Sequence, residues 1–265
     1  MKITKYTDFL FEHKLWYKTI SQFLNWIKEK SETKKFIFLD TETTGLGGPK
    51  KTQLTQISAI CTEYNFDTNA FKEISNFNQK IKLTEETKVD KFKEGSRINK
   101  VLSFNHYGDG DFEYVDEETV LSNFYDWVDQ QGESMLVIQN ASFDMNMINV
   151  RSKNIRFDNE ILDTKQVIQL YYIPIIQKLS ETDDYYKSLI DKIGTSDRDY
   201  GLISSSMSKI GPALKLSMVG YHDALTDCHI TTEMLTKIIY ILKDNITLDI
   251  IKYQLERIKT IKSVK

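Results

Sequence analysis

Apolar and polar positions along the 265-residue chain follow two different periods, which predict both helices and strands. Apolar side chains recur at helical spacing from Phe9 to Ile27, which indicates an amphipathic helix over residues 8–30. The continuous apolar run from Phe36 to Leu39 is typical of a strand that is buried on both faces. Further strands are expected over residues 53–64, 70–82 and 135–139.

The remaining segments extend this alternation of strands and helices. Residues 84–115 lack a clear period, with a hairpin expected over 104–115, and the polar stretch 195–211 indicates a mobile loop. Strands followed by alternating elements are typical of an α/β domain with a mixed sheet. Helices are expected over residues 116–131, 144–153, 163–178, 181–193, 223–243 and 246–262.

Composition favours an ordered protein without a disulfide framework. Aromatic residues make up 12% of the chain and prolines number only 3, which is the opposite of a disordered composition. With only Cys61 and Cys228, a disulfide scaffold and a zinc site built on thiolates are both excluded. The sequence contains neither a signal peptide nor a membrane span. We therefore expect a soluble, cytoplasmic protein of a bacterium or of a virus-infected host cell.

The distribution of charge is more informative than its total. The formal net charge of −3 argues weakly against a nucleic-acid-binding protein. Residues 1–35 carry +4 and residues 252–265 carry +4, which leaves −11 for the segment between them. Each basic end is interpreted either as a solvated helix face or as a surface that attracts a polyanion.

The first candidate site lies at the end of the first apolar strand. Asp40 and Glu42 are two residues apart, so both carboxylates project from one face of a strand. Adjacent anions there are unfavourable unless a cation lies between them, and such oxygen ligands suit Mg²⁺ or Mn²⁺. A pair of solvated loop acids is the alternative interpretation. The glycines that follow, Gly45 and Gly47, fit neither a dinucleotide-binding nor a phosphate-binding loop.

Two further motifs place acids at the starts of helices. Asp144 follows the strand 135–139, where an acidic residue can also favour the helix dipole. His222 and Asp227 are five residues apart, so they converge only if His222 lies on a turn before the helix that contains Asp227. Gly220 permits such a turn. Beside several acids, His222 is a candidate base, because its reference pKa of about 6.5 suits neutral pH.

In their order along the chain, these residues resemble the three exonuclease motifs of the DEDD superfamily. The histidine five positions before the last aspartate matches the DEDDh branch, the DnaQ-like 3′→5′ exonucleases. The sister branch has a tyrosine four positions before that aspartate, where this chain has Asp223. The motifs are FLDTETTGL with Asp40 and Glu42, QNASFD with Asp144, and HDALTD with His222 and Asp227.

The resemblance covers residues 36–82 and 134–242, and Asp163-Thr164 resembles a pair found downstream of the second motif. It implies a ribonuclease H-like α/β fold, with a mixed five-stranded sheet flanked by helices. The N-terminal helix and the stretch 92–115 depart from the family. The expected organisation is an N-terminal helical extension (1–35), an exonuclease domain (36–243) and a basic C-terminal helix packed on that domain (244–265).

The implied chemistry is two-metal hydrolysis of a phosphodiester, with two Mg²⁺ or Mn²⁺ ions as cofactors. By this resemblance Asp40 would bridge both metals, and Glu42 and Asp227 would complete the site of the metal that carries the attacking water. Asp144 would hold the second metal, and His222 would accept the proton of the water. These five residues are thus the expected catalytic set.

The resemblance also implies contacts with the terminal nucleotide. Thr43 and Thr44 would lie beside it, and Leu46 would form an apolar wedge against its base. Asn140 is a further expected contact. Phe143 is either a stacking residue for a base or a core residue of the following helix.

The expected activity is 3′→5′ exonucleolytic release of 5′-mononucleotides from single-stranded DNA. A 3′→5′ exoribonuclease and a polymerase-associated proofreading subunit are the alternatives, because the metal chemistry does not depend on the sugar. The intact acidic set argues against an inactive binding module, and one histidine among acids is a poor zinc set. Expected partners are single-stranded nucleic acid, with DNA favoured over RNA, and a polymerase or a second copy bound through the terminal helices, but no membrane.

Overall fold

The apolar strands lie side by side in one sheet of the computed structural model. The structure describes residues 19–20, 22–27, 29, 34–87, 97–152, 157–196 and 202–245. Its strands are β1 (Lys35–Thr43), β2 (Leu54–Asn65), β3 (Ala70–Ile81), β4 (Tyr114–Val115), β5 (Met135–Ile138) and β6 (Ile161–Asp163). Their order across the sheet is β4-β3-β2-β1-β5-β6. β1 is antiparallel to β2, and β2 is antiparallel to β3. β1, β5 and β6 run parallel, so the predicted mixed sheet is confirmed.

The sheet has six strands rather than the expected five, because a two-residue strand is added at its edge. Tyr114 and Val115 pair in parallel with Lys80 and Ile81 of β3. The hairpin expected over 104–115 is therefore wrong. A strand of two residues is too short to show an alternation of apolar and polar side chains in the sequence. Its position in the sheet depends on pairing with the open edge of β3.

Helices cover both faces of the sheet. The helical stretch after β6 contains a π-helical turn at Ile168–Tyr172. None of the helices in the described ranges combines the length and the apolar run that crossing a membrane would take. The helices are α1 (Arg97–Phe104), α2 (Glu117–Gln130), α3 (Ala141–Arg151), α4 (Thr164–Val167), α5 (Ile173–Leu179), α6 (Asp184–Ile193), α7 (Met207–Ala213) and α8 (Ala224–Asn245).

The apolar run of β1 is continuous because the strand is buried on both faces. Ile37 and Leu39 belong to a core that β1 forms with α2 and α3. Phe36 and Phe38 point to the opposite core, which includes residues of α5 to α8. Side chains alternate across a strand, so one run of four apolar residues serves two cores.

Part of the N-terminal helix packs on the second core. Residues 19–20, 22–27 and 29 are helical, and Trp26 lies 5.0 Å from Phe36 between ring centroids. The rest of the expected helix over 8–30 and the helix expected over 246–262 lie outside the described residues. Accordingly, the boundaries of the two terminal extensions stay predictions.

The stretch 195–211, expected to be a loop, contains secondary structure. Its described residues form an antiparallel ribbon of β7 (Thr195–Ser196) and β8 (Leu202–Ile203), followed by the start of α7. Polar composition predicted a loop here because the two strands are too short to show a period. The ribbon matters because the residues that follow it line the candidate site.

Candidate active site

The end of β1 presents the first two carboxylates to one cavity. Asp40 and Glu42 both line it, as the period of a strand predicts. Glu42 is only 9% exposed, and the register with β2 shifts directly after it, between Glu42 and Thr43. A bulge at this point interrupts the regular pairing of β1 with β2 directly after Glu42.

The third carboxylate is held against β1 by hydrogen bonds. Asp144 lies in the first turn of α3 and accepts bonds from the backbone N–H (3.0 Å) and hydroxyl (2.6 Å) of Thr41. α3 begins at Ala141, three residues earlier than expected, after Asn140 in a left-handed conformation. The buried carboxylate of Asp163 accepts bonds from the N–H groups of Asn140 (3.1 Å) and Ala141 (3.2 Å). Asp163 thereby fixes the start of the helix that carries Asp144.

The last motif folds as its spacing predicts, with the histidine on a turn before the helix. Gly220 and His222 both have positive φ, 80° and 74°, and α8 begins at Ala224. Asp227 follows in the first turn of α8, where its Oδ1 accepts the backbone N–H of His222 at 3.2 Å. This bond closes the turn and brings the two side chains to the same side.

Asp223 serves the structure of this turn. Its Oδ1 accepts the backbone N–H of Thr226 (3.2 Å), which is an N-cap of α8. Its Oδ2 accepts the side-chain amide of Gln56 on β2 at 3.0 Å. These two bonds hold the start of α8 against β2.

All five residues of the expected catalytic set line the same cavity of about 500 Å³. The closest cluster consists of Glu42, His222 and Asp227, whose potential ligand atoms lie within 4.8 Å of one another. Asp40 and Asp144 face the same space from β1 and α3.

Burial and mutual repulsion destabilise the charged forms of these acids. Burial, and after it the charges of Asp144 and Asp227, raise the pKa of Asp40 well above its ordinary value. Burial, with Asp227 and Asp144 again adding repulsion, likewise raises the pKa of Glu42, and Lys80 only partly opposes this shift.

The other two acids titrate near neutrality. Burial raises the pKa of Asp144 to about 7, although the hydrogen bonds from Thr41 favour the charged form. Burial also raises the pKa of Asp227 to about 7, against the hydrogen bond from the N–H of His222. For His222, burial lowers the pKa, and the nearby His106 lowers it further.

This arrangement fits divalent cations. Within the described ranges, no lysine or arginine forms an ion pair with any of the four carboxylates. Four buried, mutually repelling carboxylates are unfavourable unless positive charge is added, and hard oxygen ligands select Mg²⁺ or Mn²⁺. The residues that could hold such ions are Asp40, Glu42, Asp144 and Asp227.

The residues expected to contact the substrate divide into two groups. Asn140 and Phe143 line the cavity, and Phe143 also packs against the core formed with α2 and α3. Thr43 and Thr44 do not line it, and both are buried in the turn after β1. There Thr43 donates to the carbonyl of Gly45 (2.7 Å), and Thr44 Oγ1 accepts the N–H of Gln53 (2.9 Å).

Leu46 also lies outside the lining of the cavity, at the tip of the turn after β1, and its side chain is 76% exposed. The roles of Thr43, Thr44 and Leu46 at a terminal nucleotide stay predictions.

Several residues that line or border the site were not anticipated. The rings of Phe104 and Tyr221 lie against His222. Lys165 and Lys209 line the cavity and add positive charge at its rim. The cluster of four serines within residues 204–208 was visible in the sequence, but its composition indicated only a loop.

Comparison with known proteins agrees with these motifs. A family model described as Exonuclease, of the RNase T type, matches residues 37–235. No curated protein sequence matches the chain. The product-bound structure of exonuclease I is 17% identical with a TM-score of 0.52, and the alignment covers 80% of this chain and 46% of that one.

Two structures of the Escherichia coli enzyme give the same result. Exonuclease I in complex with a dA16 oligonucleotide is 16% identical with a TM-score of 0.52, covering 83% of this chain and 42% of that one. The zinc-bound complex with single-stranded DNA is 16% identical with a TM-score of 0.51, covering 77% and 40%. The chain spans less than half the length of these relatives, and the likeness confirms the ribonuclease H-like fold. Because the family model spans most of the chain and its motifs are complete, the chain belongs to the exonuclease family, in the DEDDh, DnaQ-like branch of 3′→5′ exonucleases.

Proposed function

We propose that this protein is a metal-dependent 3′→5′ exonuclease that releases 5′-mononucleotides from single-stranded DNA. The observation that carries the proposal is the convergence of four carboxylates and one histidine on a single open cavity, from three separate parts of the chain. Such a set suits hydrolysis of a phosphodiester, whereas a module that only binds nucleic acid has no need of buried acids.

Asp40, Glu42, Asp144 and Asp227 are the residues that would hold two Mg²⁺ or Mn²⁺ ions. Bound ions of this kind supply positive charge that stabilises the attacking and leaving oxygens of the reaction. The four carboxylates would bind the ions through their charged oxygens, so they must be deprotonated when the ions bind. Because the pKa values of Asp144 and Asp227 are raised to about 7, protons compete with the ions for these carboxylates, and metal binding should weaken as the pH falls below neutral.

His222 is assigned as the general base. Burial lowers its pKa, so the imidazole is neutral at pH 7 and free to accept a proton from water. The bond from its backbone N–H to Asp227 places the ring at the edge of the acidic cluster. His222 is only partly buried, so a proton that it accepts can pass to solvent.

Single-stranded DNA is the proposed substrate. Lys165 and Lys209 at the rim of the cavity suit the phosphate backbone, and the ring of Phe143 suits stacking of a base. The exonuclease I structures with single-stranded DNA and with a dA16 oligonucleotide support the same choice. Docking of a polymerase or a second copy through the terminal segments stays a prediction, because residues 1–18 and 246–265 lie outside the described ranges.

A direct test compares matched 5′-labelled single strands of DNA and RNA, each with Mg²⁺, with Mn²⁺ or with a chelator. The expected result is a ladder of shortened DNA and release of 5′-mononucleotides, which the chelator abolishes. A strand blocked at its 3′ end should survive, and its degradation would contradict the assigned direction. Faster digestion of RNA than of DNA would replace the DNA assignment with an exoribonuclease.

A further inference from the structure

The imidazole of His222 lies between two aromatic rings. The ring centroid of Phe104 is 4.0 Å from that of His222, with 36° between the planes. Tyr221, its neighbour in the chain, lies at 3.8 Å and 40°. Phe104 comes from the end of α1, in the stretch 92–115 that departs from the family pattern.

Ring contacts, and no side-chain hydrogen bond from the described residues, surround the imidazole of His222. A catalytic imidazole is usually oriented by a hydrogen bond to its second nitrogen. No residue in the described part of the chain forms such a bond to His222, whose only hydrogen bond comes from its backbone N–H. The backbone of His222 also lies in the left-handed region, on a turn outside any helix.

The segment that supplies Phe104 is fastened to the sheet that carries the acids. The buried side chain of Asn105 donates to the carbonyl of Thr43 at 3.0 Å. Lys80, almost fully buried on β3, donates from Nζ to the carbonyl of His106 at 2.7 Å. Burying an amine is unfavourable unless it is well bonded, so the Lys80 contact is specific.

A third bond, from Tyr107 Oη to the carbonyl of Ile81 (2.9 Å), completes the attachment. Three consecutive residues after Phe104 are therefore tied to the ends of β1 and β3. The position of the Phe104 ring relative to the acids on β1 is fixed by these bonds and not by a hydrophobic core, since the side chain is 59% exposed.

We propose that Phe104 is a positioning residue for His222: its ring holds the imidazole beside Glu42 and Asp227 in the orientation that proton transfer requires. The inference rests on the proposed function, in which His222 is the general base. Phe104 acts through His222 and does not itself take part in the reaction. A competing possibility, in which the exposed face of Phe104 stacks on a base of the substrate, gives different kinetics.

The test measures kcat and KM for nucleotide release by the full chain and by Phe104→Ala, Phe104→Leu and Phe104→Tyr. We expect Phe104→Ala to lower kcat about 10-fold or more with KM nearly unchanged, the scale of a small misplacement of a catalytic group. Phe104→Tyr keeps the ring and should restore kcat, whereas Phe104→Leu should not. Tyr185→Ala is the matched control, because Tyr185 is 60% exposed on α6 and does not line the cavity.

A double-mutant comparison separates the two roles of the ring. In a His222→Ala background, Phe104→Ala should change the remaining rate by less than 2-fold, because the residue it positions is gone. An equal loss in both backgrounds, or a loss confined to KM, would show a contact with the substrate and overturn the inference.

A measurement without turnover completes the test. The chain has only four histidines, so the imidazole proton signals of His222 can be assigned by NMR with the His222→Ala variant. Ring currents from Phe104 should shift these signals, and the shift should shrink in Phe104→Ala and persist in Phe104→Tyr. An active parent with an unchanged kcat in Phe104→Ala would refute this inference alone, whereas a parent without nuclease activity would refute the proposed function.

Discussion

The two sides of the candidate active site are built in different ways. On the acidic side, Asp40 and Glu42 belong to a strand paired on both edges, and Asp144 is bonded twice to Thr41. On the histidine side, His222 lies on a turn with positive φ, and ring contacts orient its imidazole.

This difference indicates how the site divides its tasks. Groups that would hold cations must stay close despite strong repulsion, so they need rigid elements and hydrogen bonds. A group that exchanges protons needs orientation and access to solvent, which a partly exposed ring between two aromatic rings provides. We therefore expect substitutions on the acidic side to be the more severe and those on the histidine side to be graded.

The largest effect is expected for Asp40→Ala, on the acidic side. Asp40 is surrounded by the other acids of the cavity, so its loss should remove cation binding and reduce release of mononucleotides below detection. The fold should persist, because a repelled carboxylate is removed from the site. Circular dichroism and a single-strand digestion assay measure the two outcomes. Asp67→Asn, at an exposed turn, is the control, and full activity of Asp40→Ala would refute the metal assignment.

His222→Ala should have a smaller but still large effect, about 10² to 10⁴ in rate, the usual contribution of a general base. Because burial lowers the pKa of His222, the rate of the parent should fall as the pH drops below the ordinary histidine value of 6.5. At saturating Mn²⁺ the variant should keep only the pH dependence that metal binding to the carboxylates imposes and lose the part due to the base, as measured by single-turnover rates between pH 5 and 9. A variant with the pH profile of the parent would mean that another group is the base.

Sequence patterns predicted the acidic side because its residues sit on elements with clear periods. The apolar run of β1 predicted that Asp40 and Glu42 lie at the end of a buried strand. The apolar strand before Asp144 predicted the position of the third carboxylate in the same way. The turn before α8 was also predictable, from the spacing of His222 and Asp227 and from Gly220.

The partner of His222 could not be predicted in this way. α1 has only eight residues, of which one, Leu102, is buried, and such a short segment does not establish a helical period in the sequence. Its place depends on bonds such as those of Lys80 and Asn105, which join residues far apart in the chain. Phe104 was therefore hidden in a stretch that looked irregular, although it lies against the candidate base.

A moderate effect is expected for Asp163→Ala, which tests how rigid the acidic side is. Its carboxylate accepts N–H groups at the start of α3 and also that of Lys165 at 2.9 Å. Losing these bonds should lower the free energy of unfolding by about 1–3 kcal/mol, measured by urea denaturation. The rate should fall about 10-fold, because α3 carries Asp144.

Asp183→Ala is the control for that variant. Asp183 caps α6 by accepting the N–H of Tyr185 at 2.8 Å, away from the cavity. Its loss should cost about 1 kcal/mol of stability without changing the rate. Equal rates for the two variants would show that the start of α3 does not position the acidic side.

The smallest expected effect is on the pH dependence of the free energy of unfolding in the absence of metal. This effect again distinguishes the acidic side from the histidine side. In the folded protein the pKa of Asp144 is about 7, whereas in the unfolded chain it is near 3.8. Between these values the folded state binds more protons, so the contribution of Asp144 to stability falls as the pH rises through 7. The parent should therefore lose stability relative to Asp144→Asn, by about 1–2 kcal/mol between pH 5.5 and 8.

Metal should reverse that difference. With saturating Mn²⁺ at pH 8, the parent should gain stability, because the ions bind only the folded state, while Asp144→Asn should gain much less. Urea denaturation of both proteins at the two pH values, with and without Mn²⁺, gives all the numbers required. His222→Gln should keep the loss of stability between pH 5.5 and 8 and make it slightly larger, because the lowered pKa of His222 favours the folded state as the pH rises towards 6.5, opposite to the effect of the carboxylates. If His222→Gln removed the effect and Asp144→Asn did not, the assigned tasks of the two sides would have to be exchanged.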